Sequence, residues 1–288
     1  ELGKQIAEQF KLYSKYLKKI NILAVYGGAA ISNQIKDLKK PQHIIIATPG
    51  RLLDLIKRKA VKLNKVKILV LDEADEMLNM GFKEDLDEIL SYTPDEKITW
   101  LFSATMPSEI RRIVKKYMED PVEVKVNTKN EVNKNIEHRF AIVKRNDKTE
   151  ALTRFMDVNP EMRGVVFCRT RRDTQDLAES LSAMNYKADA LHGDLSQGQR
   201  DRVMKKFKNN KIKVLVATDV AARGIDVNDL THVFHFTLPD TTDYYTHRSG
   251  RTARAGKKGI SIAFVSGRDK SRIFRLSKSL DISFEQIL

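Results

Sequence analysis

Asp72, Glu73, Asp75 and Glu76 put four carboxylates directly after the apolar run Ile68-Leu69-Val70-Leu71. Apolar residues in a row without alternation predict a strand buried on both faces, the kind found in parallel sheets. Asp72 and Glu73 then sit at its carboxyl end, the edge at which open α/β sheets bind ligands. An Asp there can hold Mg²⁺ through its carboxylate oxygens, and a Glu one residue on can orient or deprotonate a water that attacks a phosphate. An acidic cap on the following helix explains the same residues, because Asp and Glu favour helix N-termini.

A second set is cationic. His247, Arg251 and Arg254 fall at i, i+4 and i+7, so on a helix all three project from one face. Such a stripe repels itself unless an anion or a carboxylate cluster faces it. An arginine pair is what stabilises the charge of a transferring γ-phosphoryl group, and a solvated basic helix is the alternative.

Smaller sets end the other predicted strands. Gly27-Gly28 either lets backbone amides approach a ligand closely or makes an ordinary turn. Thr48-Pro49-Gly50-Arg51 presents a hydroxyl, amides near a helix N-terminus and a guanidinium, which together suit a nucleic-acid phosphate. Ser103 and Thr105 share the edge of Asp72 and Glu73 if the strands are parallel, or cap the helix that starts near Pro107. His192-Gly193-Asp194, followed by Gln197 and Arg200, offers a strand-end turn and then two polar groups on one helix face. Residues 217–226 mix Thr218, Asp219, Arg223, Gly224 and Asp226.

Positioning these groups takes a repeated alternation of strand and helix. The chain opens on an amphipathic helix marked by Leu2, Ile6, Phe10, Tyr13 and Leu17. Strands are predicted at 22–26, 43–47, 68–71, 98–102 and 122–126, with helices at 32–39, through Arg58, at 77–90 and from Pro107. Residues 127–135 hold four Asn, two Lys and almost nothing apolar, which reads as a linker. Beyond it the alternation starts afresh, with strands at 136–143, 164–168, 187–191, 213–217, 231–236 and 259–265 and a last helix at 268–280. Two α/β parallel-sheet domains follow, 1–126 and 136–288.

Bulk composition agrees: 288 residues, 41% hydrophobic and 31% charged, can bury a large core in two domains. No apolar run is long enough for a membrane span and no leader opens the chain, so a cytoplasmic protein is expected. The single cysteine, Cys168, excludes an internal disulfide framework and reads as packed core. A net charge of +14, spread over both halves, points to a polyanionic partner or to a lysine-rich solvated surface.

Together these stretches resemble the DEAD-box ATP-dependent RNA helicases of superfamily 2, over the whole chain. The motif that names that family stands here as Asp72-Glu73-Ala74-Asp75. Gly27-Gly28, Thr48-Pro49-Gly50-Arg51, Ser103-Ala104-Thr105, Val166-Phe167-Cys168-Arg169-Thr170, Gln197 with Arg200, 217–226 and 247–256 surround it in the family's order. The resemblance implies two RecA-like domains of the P-loop NTPase fold that close on ATP, Mg²⁺ and RNA. It implies Asp72 as the Mg²⁺ carboxylate, Glu73 as the residue that activates water, and Arg251 and Arg254 at the γ-phosphate. Gly224 and Asp226 would face the nucleotide, and Asp75, Ser103, Thr105 and His247 would couple the domains. RNA backbone would meet Gly27, Gly28, Thr48, Pro49, Gly50, Arg51, Arg169, Gly193, Gln197, Arg200, Thr218 and Arg223, without reading sequence. A monomer, recruited by accessory proteins, is expected.

Ala253 stands where the family usually has Gly, and Ser249 replaces a common Ile. No Gly-x-x-x-x-Gly-Lys-[Ser/Thr] occurs, and Glu1-Leu2 resembles the tail of the family's first RNA-contact motif. An N-terminally truncated, incomplete first domain is therefore expected, with unpaired strand edges, exposed apolar faces and no ATP hydrolysis by this piece alone. The alternatives are a non-hydrolysing RNA clamp or regulatory fragment, and a DNA translocase of the same superfamily.

Overall fold

The computed structural model describes residues 2–17, 19–125, 133–222, 227 and 230–287, apart from the side chain of residue 255. The chain divides into two compact units, Glu1–Val126 and Asn127–Leu288.

In the first unit, helix α1 (Leu2–Tyr13) lies against strands β1 (Ile22–Val25) and β2 (Ile44–Ala47), which pair in parallel through helix α2 (Ile31–Leu38). Helix α3 (Pro49–Lys57) starts on Pro49, whose fixed φ and missing N–H suit a first helical position. Leu53 and Leu55 of α3 bury against Val25, with Ile31, Ile35 and Leu38 of α2 in the same cluster. Strands β3 (Ile68–Leu71) and β4 (Ile98–Leu101) form a second parallel pair, with Ile68 opposite Ile98 and Val70 opposite Trp100. Helices α4 (Ala74–Asn79), α5 (Lys83–Ser91) and α6 (Ser108–Tyr117) cover one face of that pair.

Three expectations change here. The helical region at 77–90 is two helices, because Gly81 takes a left-handed φ of 82° that ends the first of them. Residues 122–125 form no strand: Val122 and Val124 are exposed, and no described strand lies beside them to pair with. Strand β3 is buried on one face only. Leu69 and Leu71 turn toward the helices, whereas Ile68, Val70, Ile98 and Trp100 are each at least half exposed, because no described element covers that side. The exposed face accords with the apolar surface expected of the first sheet.

The second unit is a seven-stranded, all-parallel sheet. Its strands are β5 (Ile136–Ile142), β6 (Gly164–Cys168), β7 (Ala188–Leu191), β8 (Val214–Thr218), β9 (His232–His235), β10 (Gly259–Val265) and β11 (Phe284–Gln286), in the spatial order β11-β5-β10-β9-β6-β8-β7. Crossovers run through helices α7 (Lys148–Val158), α8 (Arg171–Ala183), α9 (Gln197–Lys208), α10 (Asp219–Ala222), α11 (Thr242–Ser249) and α12 (Lys270–Leu280). Successive strand residues serve opposite faces: Val166 and Val216 pack under α7 and α8, and Val165 and Leu215 under α9. Thr170 caps α8 by accepting from the Asp173 amide, and Ser196 with Gln199 forms a capping box on α9. Strand β11, absent from the expected six, pairs with the outer edge of β5. Among the described residues no helix is long and apolar enough to cross a membrane.

Candidate functional site

Parallel register gathers the polar turns. In the first unit β1 and β2 end side by side, so Gly27-Gly28 and the Thr48 to Arg51 turn are neighbours. Gly28 needs its left-handed φ of 79° to make this turn. Arg51 Nη1 donates to the carbonyl of Ala29 and to Gln34 Oε1, both at 3.0 Å, and Gln34 Nε2 donates to the Tyr26 carbonyl at 3.1 Å. Gln34, a residue the sequence reading passed over, thus braces the glycine turn. Thr48 is the N-terminal flank of α3, but its exposed hydroxyl makes no capping bond.

Strands β3 and β4 likewise bring the carboxylates to the hydroxyls. Thr105 gives both its amide (2.9 Å) and its Oγ1 (2.7 Å) to Asp75 Oδ2, while Ser103 Oγ accepts from the Asp75 amide at 3.2 Å and donates to the Thr105 carbonyl at 2.6 Å. Burial would raise the Asp75 carboxyl, but the bonds from Thr105, Ser103 and the Glu76 amide outweigh it and leave its pKa below the usual value. These bonds set aside the α6-capping alternative for Ser103 and Thr105, while Asp75 and Glu76 do sit in the first turn of α4. Ser103 and Thr105 do not cap α6, whose N-terminal flank Pro107 has no side-chain cap, and the first amides of α4 are taken by Phe102 and Ser103. Asp72 accepts from the amide of its neighbour Glu73 at 3.0 Å, its one bond among the described residues, and stays exposed at the strand end. Glu73 is held in the left-handed region at φ 50°, ψ 48°, a strained turn of the kind found at functional sites.

In the second unit, β7, β8 and β6 are adjacent, so their ends bring Gly193, Thr218 and Arg169 to one edge. Arg169 is exposed and pairs loosely with Asp240 at 3.4 Å. Gln197 Nε2 donates to Asp201 at 2.8 Å, and the buried Arg200 Nε finds no partner among the described residues. Gly193 lies against the Arg171 guanidinium, which also pairs with Asp194 at 2.6 Å. Arg223, Gly224 and Asp226 lie outside the described residues.

The cationic stripe is not a stripe. Helix α11 carries His247 but stops at Ser249, followed by Gly250; Ala253 turns left-handed at φ 56°, and Arg254 begins a short 3-10 turn. Arg251 and Arg254 therefore sit half-buried on an irregular turn, with Arg254 Nε folded back onto the Gly250 carbonyl at 3.2 Å. Their spacing holds, but the single helix face assumed for His247, Arg251 and Arg254 does not, since the chain breaks helical geometry twice within it. Arg248, between them in sequence, is instead buried: Nε and Nη2 donate to Asp219 Oδ1 and Oδ2 at 2.5 and 2.7 Å, and Nη1 donates to the Thr237 carbonyl at 2.7 Å.

Asp72 is a lone exposed carboxylate, and the described residues contain no cluster of three or more His, Cys, Asp or Glu that would cage a metal. One carboxylate at a strand end suits Mg²⁺, which keeps waters and substrate phosphates as its other ligands.

Residues 1–113 match the DEAD/DEAH box helicase family model, and residues 147–256 match the helicase conserved C-terminal domain. The chain is 46% identical over 279 residues to the DEAD-box ATP-dependent RNA helicase CshA of Bacillus cereus, covering 97% of this chain and 53% of that protein. CshA of Bacillus subtilis is 46% identical over 273 residues, which cover 95% of this chain and 55% of that protein. The chain thus spans about half the length of these curated relatives. Among solved structures it is similar to Saccharomyces cerevisiae Dbp5 bound to RNA and ADP BeF3, with a TM-score of 0.88, 31% identity, and coverage of 100% of this chain and 75% of that one. A DEAD box protein from Methanococcus jannaschii is 44% identical, with a TM-score of 0.52 and coverage of 100% and 78%. With the Asp72 to Asp75 motif at a strand end and an all-parallel sheet behind the arginine turn, the chain belongs to the DEAD-box ATP-dependent RNA helicases, a family of two RecA-like α/β domains.

Proposed function

We propose that this chain supplies part of an ATP-dependent RNA helicase core that separates RNA strands locally, or remodels RNA–protein complexes, by RNA-stimulated ATP hydrolysis. In this reading the two units are the two RecA-like domains and 127–135 is their linker. The observation that carries it is the bonding of Asp75 to Thr105 and Ser103, which commits Asp75 to the neighbouring turn and leaves Asp72 exposed at the same strand end.

Asp72 would hold Mg²⁺, which supplies charge neutralisation at the phosphates when bound. Glu73 orients and deprotonates the attacking water. Arg251 and Arg254 stabilise charge on the γ-phosphoryl group as it transfers, with Gly224 and Asp226 at the nucleotide. Asp75, Ser103, Thr105 and His247 couple the units. The strand-end turns at Gly27, Gly28, Thr48, Pro49, Gly50 and Arg51, and at Arg169, Gly193, Gln197, Arg200, Thr218 and Arg223, meet RNA phosphates and 2′-hydroxyls, so recognition is independent of base sequence. The family reading also carries a cytoplasmic monomer recruited by accessory proteins.

The test is ATP hydrolysis with and without single-stranded RNA, on protein expressed from the whole gene. RNA should stimulate turnover, DNA of the same sequence should not, and Glu73→Gln should abolish turnover while RNA binding persists. RNA binding without hydrolysis in the unaltered protein would instead identify a clamp.

A further inference from the structure

The turn that carries Arg251 and Arg254 is gripped from three sides. Beneath it, the buried Thr252 donates its hydroxyl to the Leu230 carbonyl. Beside it, Gly259 approaches so closely that a Cβ there would overlap Thr252 Oγ1. Over it lies Asn133, 120 residues earlier in the chain, whose Nδ2 donates to the Ala253 carbonyl at 2.7 Å.

The Asn133 amide is not loosely placed. Its Oδ1 accepts from the Asn135 amide at 3.0 Å, and its carbonyl accepts from the Ile136 amide at 2.8 Å, so the side chain is held in a short turn directly before β5. With the oxygen committed, the NH₂ group is the end that faces Ala253. Asn135 adds a second tie, its carbonyl accepting from the Gly259 amide at 3.0 Å. Ala253 is the residue of this turn that needs the help. It is buried and left-handed at φ 56°, a conformation that a residue with a Cβ keeps only where its surroundings hold it.

We propose that Asn133 is a positioning residue for the arginine turn: by holding the Ala253 carbonyl, it sets where Arg251 and Arg254 lie and ties that placement to the short turn directly before β5. This inference rests on the function proposed above. It adds a part for a residue that the sequence reading assigned to a plain linker, and it makes Asn133 to Asn135 a strap on the turn. A displacement of ~1 Å in a charge-stabilising group costs on the order of a hundredfold in rate at the extreme, so even a small release of the turn is measurable.

Two variants separate the strap from the local turn. Asn133→Ala removes both. Asn133→Asp keeps an oxygen to accept from the Asn135 amide but replaces the donor with a carboxylate that repels the Ala253 carbonyl. On protein expressed from the whole gene, both should lower kcat for RNA-stimulated ATP hydrolysis by about fivefold or more, with KM for ATP within about twofold of the unaltered value. Hydrogen exchange of the amides between Arg251 and Lys257 should be faster in both variants. An unchanged kcat in Asn133→Asp overturns the proposal, as does unchanged exchange in the turn. If the unaltered protein shows no RNA-stimulated hydrolysis, the helicase reading is what fails, and the exchange arm still decides whether Asn133 holds the turn.

Discussion

Arg248 and Asp219 meet as a two-point ion pair inside the second unit, Nε to Oδ1 at 2.5 Å and Nη2 to Oδ2 at 2.7 Å, with the Arg248 side chain only 4% exposed. The guanidinium lies over the Phe167 ring, 5.1 Å from its centroid, and its remaining arm reaches the Thr237 carbonyl. Removing one partner of such a pair strands a buried charge. Asp219→Ala should therefore cost about 3 kcal/mol and lower the melting temperature of the second unit by roughly 6–12 °C. Calorimetry checks this, and a loss under 1 °C would show that the pair is already solvated.

Ala253→Gly should act in the opposite direction. Glycine takes φ 56° without the Cβ clash, and after its greater unfolded-state entropy is counted the net gain is about 0.5–1 kcal/mol. Urea unfolding should show a higher midpoint at unchanged slope. A lower midpoint would mean that the Cβ packing of this buried residue outweighs its backbone strain.

The second unit should be acid-labile. Burial pushes His138 down to about 4, and burial with the nearby Arg139 charge does the same to His232; burial, with the Arg248 and His138 charges, also holds the fully enclosed His235 well below its ordinary value. Because the folded chain resists protons that the unfolded chain binds at its ordinary value of 6.5, stability is complete above that pH. It declines as pH falls from 6.5 toward 4, by at most roughly 3 kcal/mol for each of His138 and His232. Asp75 in the first unit also resists protonation, but its contribution survives until pH drops below the carboxylate range. Melting at pH 7.5 and pH 5 should thus show the second unit shifting more, and His232→Gln should flatten its profile. Equal shifts in both units would count against the buried, neutral histidines.

Trp100, the chain's one tryptophan, reports on the open face of β3 and β4. At 54% exposure, beside Ile98 and Phe102, it should emit at the long wavelength of a wet indole and be quenched readily by iodide. A blue emission resistant to quencher would mean that something covers the face in solution. Trp100→Lys should leave the fold intact and reduce binding of apolar dyes.

Much of this arrangement was legible because its signals are local. The spans 164–168 and 259–265 appear as strands β6 and β10 without a residue's change, being apolar runs bounded by Gly and polar turns. Placing Ser103 and Thr105 at the edge of Asp72 and Glu73 needs only parallel strands, which β3 and β4 are, whereas their bonds to Asp75 appear only in the structure. What stayed hidden depends on partners distant in sequence. Strand β11 is three residues with no readable period, and it exists because β5 offers an edge. Four apolar residues at Ile68 to Leu71 look alike in sequence, and only their neighbours decide that Leu69 and Leu71 are covered while Ile68 and Val70 are not. Arg248 sat unnoticed within a basic run, since its partner Asp219 is 29 residues away. The arginine stripe failed because i, i+4, i+7 arithmetic assumes an unbroken helix, which Gly250 and the left-handed Ala253 interrupt.

The place of β5 in the second sheet sets an order of events during synthesis. It is the first strand of its unit to leave the ribosome, yet its two neighbours are β10 and β11, both near the far end of the chain. At translation speeds of about 5–20 residues per second, residues 136–142 wait roughly 6–25 seconds before either edge can be paired. Until then Phe140 and Ala141, destined for the core, have no sheet to join. The strands β6, β7 and β8 can meet earlier, so the unit closes last along the side where its first residues wait for its final ones.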